Sequence, residues 1–171
     1  MRRTPQVIRS ECKSLIARRA VFLDTETTGL AQEDRIVDIA IVDADGAVLL
    51  NQLVNPGMTI APQAEAIHGI SSAMVADAPT IDAIAPMICK ILAGRPVVIY
   101  NVGFDAQFLH RAGIWPEETY CLMQAAQDYF GASRWPRLDV ACYKLGVERK
   151  AAHRALADAD DARRVLLKIA E

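Results

Sequence analysis

The chain has 171 residues and a formal net charge of −2 at pH 7, with 52% hydrophobic and 23% charged residues. This length suits one domain with a substantial core, and the absence of any apolar run near ~20 residues excludes a membrane-spanning helix. The slightly acidic balance excludes a general polyanion-binding protein, because such proteins depend on an excess of Lys and Arg.

The N-terminal part of the chain is predicted to form one helix and three strands. Apolar residues at helical spacing predict an amphipathic helix over 7–19, which leads into a first strand, Ala20–Thr25. Two apolar runs, 35–43 and 47–54, predict the next strands, and the Asp45-Gly46 pair between them is a strong hairpin signal. The first three strands should therefore form an antiparallel meander.

The rest of the chain is predicted to alternate between helices and short strands. Residues 55–79 are rich in Pro and Gly and predict a long irregular connection. The later elements are a helix over 80–93, a buried strand within 95–101, a helix over 102–113, an extended stretch at 119–122, helices at 123–130 and 137–146, and a helix from Ala155. This order predicts an α/β fold with a mixed sheet flanked by helices. We expect one domain over 1–171, with 1–19 as an N-terminal helical extension.

Four acidic residues are notable for their predicted positions. Asp24 and Glu26 are two residues apart at the end of the first strand, so their side chains should project to the same side. At ~4 Å and an effective dielectric of about 20, two such charges repel by roughly 4 kcal/mol, which protonation, a basic side chain or a cation must offset. Asp105 lies in the first turn of a helix, and Asp158 lies beside the inward-facing stripe of the last helix.

Each of these carboxylates has a simpler explanation when it is considered alone. Asp105 and Asp158 could stabilise the N-terminus of a helix, and Asp24 and Glu26 could pair with an arginine. However, a strand end, a helix start and a helix face can converge at one edge of an α/β sheet. Several carboxylates without Cys or His at metal-binding spacing suit Mg²⁺ or Mn²⁺ better than zinc.

The last helix and the loop before it carry further charged residues. His153 is expected on the loop just before the helix, where it could approach a metal-bound water or simply face solvent. Asp160 and Asp161 are expected on the polar side of the helix, together with Arg164 and Lys168.

Two more segments could contact a nucleic acid. Arg149, Lys150 and Arg154 surround His153 and could hold phosphates, although an ordinary solvated basic loop is an equal alternative. Trp135 lies in an arginine-containing segment and could stack an unpaired base, or it could pack on its own loop. The chain lacks both GxGxxG and GK[ST], which excludes the usual nucleotide-binding kinases and dehydrogenases.

Three segments, VFLDTETTGL, VVIYNVGFDAQFL and HRALADA, resemble in order and spacing the three motifs of the DEDDh 3′→5′ exonucleases. This group includes the proofreading epsilon subunit of bacterial DNA polymerase III, RNase T and oligoribonuclease. The segment NPGMTIAPQAEAIHGIS also resembles a loop of that family. The resemblance covers about residues 20 to 171 and implies an RNase H-like fold with a five-stranded mixed sheet.

The resemblance also implies a function. It implies a metal-dependent 3′→5′ exonuclease that removes nucleoside 5′-monophosphates from single-stranded nucleic acid, with DNA favoured. An exoribonuclease like RNase T or oligoribonuclease is the alternative, and a non-catalytic nucleic-acid-binding module is a remote one. The implied metal ligands for two Mg²⁺ or Mn²⁺ ions are Asp24, Glu26, Asp105 and Asp158, with His153 as general base. The implied substrate contacts are Thr27, Thr28, Leu30, His68 and Asn101.

Two features of the sequence depart from the family pattern. Tyr100 precedes Asn101 where many relatives have His, a change expected to matter little because this position is not a ligand. The chain ends soon after the last helix without an evident polymerase-binding tail, which favours a stand-alone enzyme.

The expected partner is the 3′ end of a single-stranded nucleic acid. No association with a membrane is expected, and a homodimer is left open. Scattered cysteines and the lack of a secretory signal predict a cytoplasmic protein.

Overall fold

A five-stranded mixed sheet forms the centre of the protein. The structure is a computed structural model that describes residues 2–149 and 153–171. The strands are β1 (Val21–Thr27), β2 (Ile36–Asp43), β3 (Val48–Leu53), β4 (Val97–Ile99) and β5 (Thr119–Cys121), in the spatial order β3-β2-β1-β4-β5. β2 is antiparallel to both β1 and β3, whereas β4 is parallel to both β1 and β5. The predicted meander and mixed sheet are therefore confirmed.

Helices flank the sheet, as predicted. Within the described residues they are α1 (Pro5–Ala17), α2 (Pro62–His68), α3 (Ser72–Val75), α4 (Ile81–Leu92), α5 (Val102–Arg111), α6 (Leu122–Phe130), α7 (Leu138–Leu145) and α8 (Ala155–Ala170). The connection over 55–79, predicted to be irregular, contains the short helices α2 and α3. None of the helices in the described part of the chain is both long and apolar enough to cross a membrane.

The central strand β1 is buried on both faces, and alternate side chains face opposite ways. Phe22 packs with apolar residues of α1, α6, α7 and α8 on one face. Val21 and Leu23 pack with apolar residues of α4 and α5 on the other face. Because burying such a side chain contributes ~1.5–3 kcal/mol, β1 is firmly held, and the polar residues at its C-terminal end have a rigid support.

The C-terminal ends of β1 and β4 lie side by side at one edge of the sheet. Leu23 of β1 is opposite Ile99 of β4 in the parallel register, so Asp24 lies just where β4 ends. The chain then enters α5 at Val102, while α8 packs against both β1 and β2. Strand end, helix start and helix face therefore converge at this edge.

The prediction that Asp161 lies on the polar side of α8 was wrong. Its side chain is 1% exposed. The Nε of Arg149 donates to Asp161 Oδ2 at 2.6 Å, and Arg164 pairs with the other carboxylate oxygen. These two guanidinium groups compensate the buried charge, which helical periodicity alone cannot predict. Asp160 does remain partly exposed, and it pairs with Arg163 and Arg164.

Candidate active site

Three carboxylates from distant parts of the chain meet at the C-terminal end of β1. Asp24 and Glu26 alternate with the buried Thr25 along the strand and project to the same side. Asp158 lies in the first turn of α8 and completes the group. One oxygen from each of these three carboxylates lies within 4.8 Å of the others, so together they could hold a metal ion.

Asp105, the fourth predicted carboxylate, lies beside this group and is held by β1. Its side chain is buried in the first turn of α5. Asp105 Oδ1 accepts hydrogen bonds from the backbone N–H of Thr25 at 3.1 Å and from the Thr25 hydroxyl at 2.6 Å. The structure therefore fixes Asp105 next to Asp24 without including it in the three-carboxylate group.

Burial and mutual repulsion raise the pKa values of these acids. Burial is the main cause of the increased pKa of Asp24, and the charges of Asp105 and Glu26 add to it. Burial, with the charge of Asp158, raises the pKa of Glu26 to about 8. Burial raises the pKa of Asp105 to about 7, although its bonds from Thr25 oppose the shift. Protonation therefore offsets part of the repulsion expected from the sequence.

This donor set fits a hard divalent cation. The three grouped ligands are all carboxylates, and their oxygens are the donors that Mg²⁺ and Mn²⁺ prefer. Burial, together with the neighbouring carboxylates, raises the pKa of Asp24 and of Glu26, so their ionised forms are disfavoured unless positive charge is added. A bound cation would supply that charge.

Asp38 is a neighbouring acid that sequence analysis missed. It lies opposite Glu26 in the β1–β2 register, and its side chain is 1% exposed. Arg154 Nε donates to Asp38 Oδ2 at 3.1 Å, whereas Asp38 Oδ1 is buried without a hydrogen-bond partner among the described residues. An Asp within the otherwise apolar run of β2 was the available signal, but its position opposite Glu26 depends on the strand register.

The basic residues around His153 bind carboxylates in this structure. Arg149 bridges Asp158 and Asp161. Arg154 pairs with Asp38, as described above, while the predicted phosphate contact of Lys150 lies outside the described residues. Arg149 and Arg154 thus compensate buried acids. Neither of the two alternatives considered from the sequence, a phosphate-binding loop and an ordinary solvated basic loop, describes them fully.

His153 lies just before α8, where the sequence pattern places it. Its backbone is left-handed, with φ of 58°, which is uncommon for a residue other than glycine. The backbone N–H of His153 donates to Asp158 Oδ2 at 3.2 Å. This bond ties the His153 loop to one of the three grouped carboxylates.

Thr27 and His68, two predicted substrate contacts, are buried and bind each other. His68 Nδ1 accepts the backbone N–H of Ile70 at 3.0 Å, so Nε2 carries the proton and donates to the carbonyl of Thr27 at 3.2 Å. Burial lowers the pKa of His68, which favours this neutral form. Both ring nitrogens of His68 therefore take part in hydrogen bonds that hold the end of α2 against β1. A contact of Thr27 or His68 with a nucleotide stays a prediction.

The other three predicted substrate contacts differ in exposure. Thr28 is buried, and its hydroxyl donates to Asp34 at 2.6 Å. Leu30 is 82% exposed just beyond β1, a position from which it can contact a ligand. Asn101 is exposed at the start of α5.

Replacing Glu26 by Gln should stabilise the metal-free protein more at pH 8.5 than at pH 5. The pKa of Glu26 rises from ~4.3 in an unfolded chain to about 8 in the fold. The stability that wild type gains from a neutral Glu26 is therefore complete below pH ~4.3 and is lost as the pH rises to about 8. Gln stays neutral throughout, so its advantage should grow by about 10 °C in melting temperature, at ~1.36 kcal/mol per pH unit and ~2–4 °C per kcal/mol at this size.

Melting curves in EDTA at the two pH values test this expectation. Glu65→Gln, at an exposed position on α2, is the matched control for replacing a carboxyl by an amide. A Glu26→Gln advantage that is constant or shrinks with increasing pH would contradict the proposed repulsion.

Comparisons with known proteins agree on one family. The RNase_T exonuclease family model matches residues 21–166. Exonuclease CP81 of Escherichia phage 186 is 33% identical over 175 residues, which cover 91% of this chain and 90% of that protein. Exodeoxyribonuclease 10 of Escherichia coli strain K12 is 37% identical over 149 residues, which cover 80% of this chain but only 62% of that protein.

A solved structure supports the same assignment. Exonuclease X in complex with 5′ overhanging duplex DNA matches with a TM-score of 0.74 and 32% identity, over 88% of this chain and 90% of that one. The family model covers most of the chain, including all four carboxylates that the motifs indicated. The chain therefore belongs to the RNase_T exonuclease family, and its resemblance to the DEDDh exonucleases is confirmed.

Proposed function

We propose that the protein is a metal-dependent 3′→5′ exonuclease that releases nucleoside 5′-monophosphates from single-stranded DNA. The observation that carries this proposal is the partly buried group of Asp24, Glu26 and Asp158, which each contribute one oxygen within 4.8 Å of the others. Support for DNA comes from the name of the relative Exodeoxyribonuclease 10 and from the solved structure of exonuclease X in complex with 5′ overhanging duplex DNA.

In this proposal the carboxylates hold two Mg²⁺ or Mn²⁺ ions. Asp24, Glu26 and Asp158 are the ligands in the group, and Asp105 is the fourth acid beside Asp24. When bound, such ions lower the pKa of a water molecule and stabilise negative charge on the leaving 3′ oxygen. Asp105 also holds the end of β1 in place through Thr25.

His153 is the proposed general base. Its loop is bound to Asp158 through the backbone N–H, which anchors the residue beside the carboxylate group. From there it would accept the proton of the attacking water, a role that His fills most often in enzymes. The exposed Leu30 and Asn101, with Thr27, Thr28 and His68, would position the terminal nucleotide.

Digestion of end-labelled oligomers tests the proposal. With Mn²⁺ or Mg²⁺, 5′-labelled single-stranded DNA should shorten stepwise from its 3′ end, and EDTA should stop the reaction. A matched RNA oligomer measures the preference of the enzyme for DNA, and faster digestion of RNA would assign it to the exoribonucleases instead. Circular single-stranded DNA is the control, because cleavage of the circle would contradict an exonuclease.

A further inference from the structure

A second concave surface lies beside the proposed active site. It has a volume of about 850 Å³ and lies between the start of α5, the strand β5 and the start of α6. Asn101 and Phe104 line it from α5, and Asp105 of the proposed active site follows Phe104 directly in the chain. This volume lies within the ~300–1,000 Å³ of typical ligand sites.

Trp135 provides an aromatic wall of this cavity. It lies on the loop between α6 and α7, and 62% of its surface is exposed. Packing on its own loop, one of the two alternatives considered from the sequence, would have covered most of the indole. The exposed ring is instead available to a planar ligand, and Gln107 and Gln124 line the same cavity.

Tyr100 ties the Trp135 loop to the edge of the sheet that carries the carboxylates. Its side chain is buried, and its hydroxyl donates to the carbonyl of Pro136 at 2.8 Å. Its own carbonyl accepts the backbone N–H of Met123 at 2.9 Å. Tyr100 directly follows β4 and precedes Asn101, so one side chain connects the two surfaces. The structure thus gives this residue a contact with the Trp135 loop that its lack of metal-binding capacity did not indicate.

Two arginines close to Trp135 in the chain favour an anionic ligand at this loop. Arg134 and Arg137 flank it, and both are exposed. Arg137 approaches Asp139 at 3.4 Å, but its side chain remains 76% exposed. Exposed aromatic rings next to arginines are the usual means of binding unpaired bases together with their phosphates.

We propose that this cavity binds an unpaired nucleotide of the substrate strand two or more positions to the 5′ side of the terminal one, with Trp135 stacking on its base. This proposal rests on the proposed exonuclease function. Tyr100 is a positioning residue in it, because it holds the Trp135 loop without touching the nucleotide. The cavity would then favour substrates longer than a dinucleotide.

The chain contains two tryptophans, which makes a matched experiment practical. Trp115 is similarly exposed at 67%, but it stacks on His110 with 3.9 Å between ring centroids and lines a different cavity. Steady-state kinetics on the dinucleotide (dT)2 and the octamer (dT)8, or on (rU)2 and (rU)8 if only RNA is digested, measure the length preference.

Trp135→Ala should lower kcat/KM for the octamer by about 5- to 150-fold, the equivalent of ~1–3 kcal/mol per stacked base, and leave the dinucleotide unchanged. Trp115→Ala should change neither substrate. Tyr100→Phe should raise KM for the octamer several-fold with kcat retained, because the loop loses one hydrogen bond while the carboxylate group stays intact.

Fluorescence gives a second readout that does not depend on catalysis. Trp115→Phe leaves Trp135 as the only tryptophan, and the octamer in EDTA at low salt should quench its emission to saturation. Trp135→Phe leaves Trp115 as the reporter, and its emission should not change. If wild type digests neither substrate, the proposed function fails. The cavity proposal alone is wrong if wild type digests the octamer and Trp135→Ala keeps the whole preference for the octamer over the dinucleotide. It is also wrong if the octamer quenches only the emission of Trp115.

Discussion

Replacing Asp24 by Asn should lower nuclease activity by about 10³-fold or more. Asn offers one neutral oxygen where Asp24 offers a carboxylate to the group formed with Glu26 and Asp158. A bound metal ion contributes several kcal/mol to catalysis of this kind, and each ~1.36 kcal/mol corresponds to a factor of ten in rate. The measurement is the release of nucleoside monophosphates at saturating Mn²⁺, for the variant and for wild type.

The same substitution should have the opposite effect on stability without metal. Since Asp24 is surrounded by Asp105, Glu26, Asp158 and Asp38, a neutral amide relieves repulsion and should leave the metal-free melting temperature at or above that of wild type. Mn²⁺ at a hundredfold excess over its Kd should stabilise wild type by roughly 2.7 kcal/mol, or ~5–11 °C. Asp24→Asn should gain much less.

Asp77→Asn, at an exposed position after α3, is the matched control and should behave like wild type in both assays. The proposal predicts that activity and metal response are lost together in Asp24→Asn. If this variant melted lower than wild type in EDTA and still responded fully to Mn²⁺, Asp24 would instead be a structural ion-pair partner.

Local signals were sufficient to predict the sheet and part of the site. The Asp45-Gly46 pair marked the hairpin between β2 and β3, and Gly46 takes the positive φ of 92° that such a turn requires. The alternation of a strand placed Asp24 and Glu26 on one side, because side chains two residues apart share a face. These inferences succeeded because each depends on residues close together in the chain.

Other features depend on pairing between distant segments. Asp38 lies opposite Glu26 only because of the β1–β2 register, which contains an irregularity between Glu26 and Thr27. Buried Asp161 is compensated partly by Arg149, which lies outside its helix. Long-range register and counter-charges of this kind have no local sequence pattern, so periodicity could not predict them.

The acidic residues around the site are unevenly compensated by arginines. Arg149 compensates Asp158 and Asp161, and Arg154 compensates one oxygen of Asp38. Among the described residues, Asp24 and Glu26 have no ion pair of their own, and burial raises the pKa of each. Cation binding would therefore act mainly on these two residues. For this reason, substituting Asp24 is more informative than substituting Asp158.

Replacing His153 by Asn should lower kcat by about 10²- to 10⁴-fold, the usual contribution of a general base. Asn is preferable to Ala here because the backbone of His153 is left-handed, with φ of 58°, and Asn tolerates that conformation. The backbone N–H bond to Asp158 Oδ2 should therefore persist. The imidazole is not a proposed ligand, so the Mn²⁺-dependent increase in melting temperature should stay close to that of wild type.

This separation of activity from metal binding distinguishes His153 from the carboxylates. His110→Asn is the matched control, because His110 stacks on Trp115 and has no proposed role in catalysis. Its kcat and its Mn²⁺ response should both match wild type. Full activity in His153→Asn would exclude the general-base role, whereas loss of both activity and the Mn²⁺ response would show that the His153 loop is needed to hold Asp158 in place.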